Sequence, residues 1–187
     1  MTVSELRRLA PADAALFREI RLEGLEGDPD AFGSTFEDEN AQPLAFFEQR
    51  LGNSAVFGAF RGPELLGIAG FRVQPGPKHA HKGLLWGMYV RPTARRIGIG
   101  RKLVEAIIAH ARRHVELLQL FVIADNTPAR RLYASLGFVE YGVEHHATKY
   151  RGQYHDDVLM ALPLTADTAA EAPGAPSQEI PAEEVSA

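Results

Sequence analysis

Arg95-Arg96-Ile97-Gly98-Ile99-Gly100-Arg101-Lys102-Leu103 sets basic side chains around two glycines and runs into an apolar pattern of helical period, Leu103, Val104, Ile107, Ile108 and Ala111. Upstream, Leu84–Val90 is a strand closed by Arg91-Pro92. Strand, short loop, glycine and helix start in one place point to an anion. The first turn of a helix leaves backbone N–H groups without acceptors, and its dipole is positive there. Glycine lets that backbone come close to a ligand. Two familiar phosphate loops do not fit. A dinucleotide fingerprint needs a third glycine where Leu103 stands, and a P-loop needs Lys-Ser or Lys-Thr where Arg101-Lys102 stand. What remains is a pyrophosphate held on the first turn of the helix near Gly98, or a glycine turn flanked by solvated arginines.

The bulk numbers admit such a ligand. The chain has 187 residues, 45% apolar and 24% charged, enough for one domain with a sizeable core. It contains no cysteine, which excludes disulfides, thiolate catalysis and cysteine zinc sites and suits the cytoplasm. No apolar run is long enough to cross a bilayer, and MTVSELRRLAPADAA lacks a secretory core. The net charge of −4 argues against nucleic acid as a partner. From Thr165 the chain carries five acids, no base and three prolines. That composition reads as a disordered acidic tail, 165–187, behind a domain over 1–164. Without the tail, twenty lysines and arginines face nineteen acids.

The rest of the chain supplies alternating elements. Leu6 and Leu9 lie in an opening strand. Pro11 and Asp13 start a helix through Leu16, Ile20 and Leu25, with Asp13 able to cap it, and Gly27-Asp28-Pro29 breaks it. DPDAFGSTFEDEN reads as a loop, and Pro43 opens a helix with Phe46, Phe47 and Leu51 at core spacing. Ala55–Phe60 and Leu65–Val73 form a hairpin across RGPE, and PGPKHAHKG is a loop. Leu117–Ile123 reads as a strand buried on both faces. Asn126-Thr127-Pro128 starts a helix that Gly137 ends, and Phe138–Val143 and Tyr154–Leu162 are the last strands. The expected class is α+β, a three-layer α/β/α arrangement. Its mixed, mostly antiparallel twisted sheet has about seven strands, with about four helices packed against it.

Two motifs together resemble the GNAT superfamily of acyl-CoA-dependent N-acyltransferases. The first is Arg95-x-x-Gly98-x-Gly100 after Met88-Tyr89-Val90-Arg91-Pro92. The second is Asn126-x-x-Ala129-x-x-Leu132-Tyr133-x-x-x-Gly137-Phe138. The resemblance covers roughly Val3 to Leu164 and is sharpest from Leu84 to Phe138. It implies acetyl-CoA as co-substrate and no metal. The backbone of Met88, Tyr89 and Val90 would take the pantetheine arm. Residues Arg95, Arg96, Ile97, Gly98, Ile99, Gly100 and Arg101 would form the pyrophosphate loop. Asn126 would contact the cofactor arm, and Tyr133 would be the general acid toward the leaving thiolate.

The acceptor implied is a small-molecule or protein amine, with direct attack in a ternary complex and room in the family for a homodimer. An amine arrives protonated, so something must take a proton. Many family members have a glutamate on the strand five residues before the asparagine; here that position is Phe121. By chemistry the candidate bases are Glu37, Glu39, His81, His145, His146 and Asp156, with Glu37 first because its loop often borders the acceptor site in the family. The histidine pairs lack zinc-site spacing. The absent glutamate leaves a second reading open, a non-catalytic acyl-CoA-binding or sensor module. The acids of FEDEN suggest attraction of a cationic amine.

Overall fold

A computed structural model describes residues 5–164. The expected start near Val3 and the tail 165–187 lie outside the described residues. In chain order the elements are β1 (Glu5–Arg8), α1 (Ala14–Gly27), α2 (Phe36–Asn40), α3 (Leu44–Asn53), β2 (Ala55–Arg61), β3 (Glu64–Val73), β4 (Lys82–Val90), α4 (Ile99–Ala111), β5 (Leu117–Ile123), α5 (Thr127–Ala134), β6 (Val139–Tyr150) and β7 (Gln153–Pro163). The seven strands form one sheet in the order β1-β2-β3-β4-β5-β7-β6. Only the β4–β5 pair is parallel.

Period-two alternation along the strands divides the core into two layers. On one face Leu66, Ala69, Leu118 and Leu120 pack under Leu103, Val104 and Ile107 of α4, with Tyr133 of α5. On the other, Val56, Phe60 and Ile68 pack under Phe17 and Ile20 of α1 and Phe47 and Leu51 of α3. Phe17 and Phe47 meet edge to face at 6.1 Å and are fully buried. Truncating either to alanine costs about 3–5 kcal/mol.

One irregularity shapes the rest of the molecule. β4 pairs with β5 only at Lys82–Leu117, Gly83–Leu118 and Leu84–Gln119. Further along, the β3–β4 register slips: Ile68 faces Tyr89 while Gly70 faces Trp86, so Gly87 and Met88 together oppose Ala69. Gly87 has φ 61°, the left-handed conformation that a bulge needs glycine to adopt. The bulge bends β4 away, whereas β5 stays paired with β7 as far as Ile123–Asp157. The two parallel strands part and leave a wedge between them.

Several expectations change. A fifth helix, α2, occupies part of the segment read as loop. Thr35 caps it, accepting from the Asp38 N–H at 3.2 Å. Asp13 turns backward: its carboxylate accepts from Arg7 at 2.8 Å and from the Ala10 N–H at 2.8 Å, and makes no cap bond to α1. β5 is buried on one face only, because Phe121 points into the wedge and is 50% exposed. The last two strands are longer than the apolar runs suggested. They meet in a hairpin turn at Arg151 (φ 47°) and Gly152 (φ 85°), a pair of positive φ values that matches the sheet twist.

Candidate active site

The wedge opens into a cleft of about 840 Å³ between β4, β5 and the N-terminal ends of α4 and α5. Its floor carries the glycine motif. Gly98 is the N-cap of α4 at φ 85°, and Arg96 before it also has positive φ, 64°. This alternation turns successive N–H groups toward one side. The first intrahelical bond runs from Lys102 N–H to the Gly98 carbonyl at 3.1 Å. The N–H groups of residues 96–101 donate to no other described backbone group. Gly98 has open space around it, while a Cβ on Gly100 would stand 2.9 Å from Met88 Cε and 3.3 Å from Leu132. One glycine is fixed by backbone conformation, the other by close approach. A row of free N–H groups on a positive helix end fits a pyrophosphate.

The basic side chains divide. Arg95 is committed to the fold, donating to the Val90 carbonyl at 2.9 Å and to Asp28 at 2.6 Å. Arg101 donates to Ser135 at 2.7 Å. Arg96 is exposed and pairs with no described residue. Met88, Tyr89 and Val90 lie on the part of β4 that has left β5, and Ile97, Ile99 and Gly100 continue the rim of the loop. Tyr89 turns its side chain to the other face, where its hydroxyl donates to Glu23 at 3.1 Å and its backbone stays at the cleft.

Asn126 caps α5: its Oδ1 accepts from the Ala129 N–H at 3.2 Å, which leaves its amide N–H₂ for a ligand in the cleft. Tyr133 lies one to two turns further along, 6% exposed, against Phe138. Its hydroxyl donates only to the Met88 sulfur at 3.5 Å, a weak acceptor. Burial pushes the phenol well above its ordinary value, so it keeps its proton at neutral pH.

A second cleft, about 670 Å³, opens on the α1–α3 side of the same wedge. The two clefts share Ala31, Phe32, Trp86, Gly87, Phe121 and Ile123. The bases suggested by chemistry are not gathered here. Glu37 and Asp38 are exposed on the first turn of α2, and neither lines a cleft. His81 precedes β4 at the other end of the sheet, its carbonyl accepting from Glu116 and Leu117. His145 and the His146 N–H bond Asp156 at 2.7 and 2.8 Å on the exposed hairpin, which holds that carboxyl below its usual range.

Glu39 is 3% exposed and lies between two arginines. Arg21 donates to it through Nε and Nη2, at 2.8 Å for the shorter contact, and Arg50 at 3.0 Å. Burial alone would raise this carboxyl; the two guanidiniums outweigh burial and hold it low. It is a structural ion cluster, and its charge is spent there.

Sequence reasoning missed three residues of the second cleft: Arg21, Trp86 and Asp157. Asp157 on β7 stands opposite Ile123, and burial, then Glu144 and Asp156, raise its carboxyl above the ordinary range. No local motif marks any of them: Trp86 and Asp157 belong to the cleft through strand register, and Arg21 through the packing of α1.

Residues 17–138 match the Acetyltransferase (GNAT) family, and the chain belongs to that family of acyltransferases. It is 33% identical over 117 residues to the mycothiol acetyltransferase of Thermomonospora curvata, an alignment covering 62% of this chain and 37% of that one. The chain thus spans little more than a third of that relative. The ribosomal-protein-alanine N-acetyltransferase of Brucella melitensis superposes with a TM-score of 0.76 at 26% identity, over 85% of this chain and 99% of that one. A Salmonella typhimurium chain solved with its cofactor acetyl-CoA has the same fold, with a TM-score of 0.73 at 24% identity over 90% of this chain and 98% of that one.

Proposed function

We propose that the chain transfers an acetyl group from acetyl-CoA to a primary amine by direct attack within a ternary complex. The observation that carries this reading is the meeting of two clefts at one gap in the sheet. A proton-holding tyrosine lies in one cleft and a carboxylate of raised basicity in the other. The N–H groups of residues 96–101 hold the pyrophosphate, with Arg96 as the cation free to follow it. The parted backbone of Met88 to Val90 and the Asn126 amide hold the arm and bring the thioester to the gap. The amine enters from the α1–α3 side.

Asp157, directly or through water, takes the proton that the ammonium form must lose. The amine nitrogen then bonds the thioester carbon and the carbon–sulfur bond breaks. The Tyr133 hydroxyl donates a hydrogen bond to the departing sulfur. Because burial makes that phenol reluctant to ionise, its role is to stabilise the thiolate while the proton shed by the nitrogen reaches it. The products are the N-acetyl amide and CoA thiol. No cysteine is available to carry an acyl group, so the scheme uses direct attack. Glu37 has no part in this scheme.

Phe121, at the junction of the clefts, favours the second reading, an acyl-CoA sensor without chemistry. Full-length protein with acetyl-CoA and an amine panel separates the two. Thiol release matched by N-acetyl product in the mass spectrum is the expected result. Acetyl-CoA binding with no release for any amine would establish the sensor instead.

A further inference from the structure

The second cleft holds two buried donors without acceptors. Arg21 is 4% exposed; its Nε and Nη2 are taken by Glu39, and its Nη1 has no hydrogen-bond partner. Trp86 Nε1 is buried and equally unpartnered. Both residues line the cleft. A Cβ on Gly87 would stand 3.5 Å from Arg21 Nη1, so this nitrogen lies against the bulge where β4 leaves β5. A buried donor left without an acceptor is costly, and more so when it is charged. Two of them on one cleft wall call for an acceptor that arrives with a ligand.

The charges give that acceptor a sign. Arg21 and Arg50 share a single carboxylate, Glu39, which leaves one positive charge uncompensated in the cluster. Arg72 of β3 lines the same cleft and adds another. Across β5 from β4 the lining is acidic: Asp157 comes from β7, and Asp30, from the turn before α2, reaches His155 of that strand at 3.6 Å. The cleft is therefore bipolar. The Phe32 ring, which also lines the cleft, covers the Arg21 guanidinium at 4.7 Å.

We propose that the acceptor is a free amino acid, its carboxylate received by Arg21 Nη1 and Trp86 Nε1 and its ammonium group turned toward Asp157. This rests on the acetyltransferase reading and narrows it. A protein N-terminus has no carboxylate next to its amine, and a polyamine has none at all, so both present the wrong charge to the arginine wall. The volume of about 670 Å³ accommodates a single amino acid, and the aromatic lining of Phe46, Phe121 and Trp86 gives its side chain an apolar surface.

The test uses the full chain, the protein L-amino acids and the matching carboxamides, which keep the amine and remove the carboxylate. Binding is measured by calorimetry in the presence of CoA, and transfer by thiol release from acetyl-CoA. At least one amino acid should bind, and its carboxamide should bind about tenfold or more weakly, the scale of a hydrogen bond to a charged group. Arg21→Lys and Trp86→Phe should each weaken the amino acid by about tenfold, and Arg21→Lys, which lies outside the first cleft, should change acetyl-CoA affinity less than about twofold. Melting curves are recorded on both. Arg21→Lys also loosens Glu39, so Trp86→Phe, which keeps a ring and removes the donor, is the decisive variant if the other unfolds. Carboxamides acetylated as well as the acids would overturn the subsite and leave the acetyltransferase reading standing. Amino acids that bind through Arg21 and Trp86 with no acetyl transfer to any amine would keep the subsite and overturn that reading. No binding by any amino acid would overturn the subsite.

Discussion

The Tyr133 hydroxyl and the Met88 sulfur stand 3.5 Å apart across the wedge, the tyrosine on α5 and the methionine on the freed half of β4. A phenol held only by a thioether can exchange that contact for a better acceptor without breaking a strong bond. Tyr133→Phe removes the donor and keeps the ring and its packing on Phe138. It should lower kcat by roughly ten- to a thousandfold and leave acetyl-CoA affinity and melting temperature nearly unchanged. Full kcat in this variant would remove Tyr133 from the mechanism. Since burial raises the phenol, its proton is retained past pH 10, and any rate loss traced to it must lie above that pH. A fall beginning near neutrality would belong to another group.

Gly98 and Gly100 should fail for different reasons. Gly98→Val places a branched side chain at φ 85° in open space, so its cost is backbone strain at the nest, about 1–2 kcal/mol, which the loop can relieve by changing shape. Acetyl-CoA should bind more weakly with little change in melting temperature. Gly100→Val drives a side chain into Met88 and Leu132 and should lower both affinity and melting temperature. Calorimetry and thermal melts on the pair distinguish the two effects.

Glu39→Gln leaves Arg21 buried beside a neutral amide and should destabilise the fold by about 3–5 kcal/mol. Chemical denaturation at neutral pH gives the size. The pH dependence gives the cause. The carboxyl is held below its ordinary 4.5 in the folded state, so its contribution is present above that pH and lost as pH falls through the folded value. The wild-type stability curve should drop in that acid range, and the variant should lose that part of the slope.

Asp157→Asn should lower kcat about a hundredfold or more if Asp157 takes the amine's proton. Its raised pKa places the acid limb of the wild-type rate above the usual carboxylate range, and that limb should vanish in the variant. The same shift means that the ionised carboxylate opposes folding, so the amide should not lower the melting temperature at neutral pH. A variant with an unchanged rate profile would assign the proton to water.

The parts of this molecule that could be read from the chain are those encoded within a few residues. Gly98 and Gly100 announce a helix start, Asn126 and Pro128 another, and the alternation through Ala55–Phe60 and Leu65–Val73 a hairpin. Helix α2 carried its own signal, Thr35 three residues before Asp38, but five residues are too few to show a period. Phe121 was misassigned because an apolar run looks the same whether its second face meets a helix or a cleft. Glu39 resembled its exposed neighbours Glu37 and Asp38, and only the approach of Arg21 and Arg50 from two other helices distinguishes it. Asp157 depended on register, which a one-residue slip would have reversed.

The gap between β4 and β5 also separates two inheritances. Apart from Asp28, Ala31 and Phe32, the donor side is assembled from one stretch of chain, β4 to α5, whereas the acceptor side also draws on α1, the loop before α2, α3, Arg72 and β7. Six residues belong to both. Substitutions at positions such as Arg21, Phe46 or Asp157 can therefore change which amine is accepted without disturbing the grip on the thioester. A lineage with this frame can acquire new clients by altering one side of a fixed opening, and grafting residues 33–54 between relatives, a segment that lines only the acceptor cleft, should move acceptor preference while leaving donor affinity where it was.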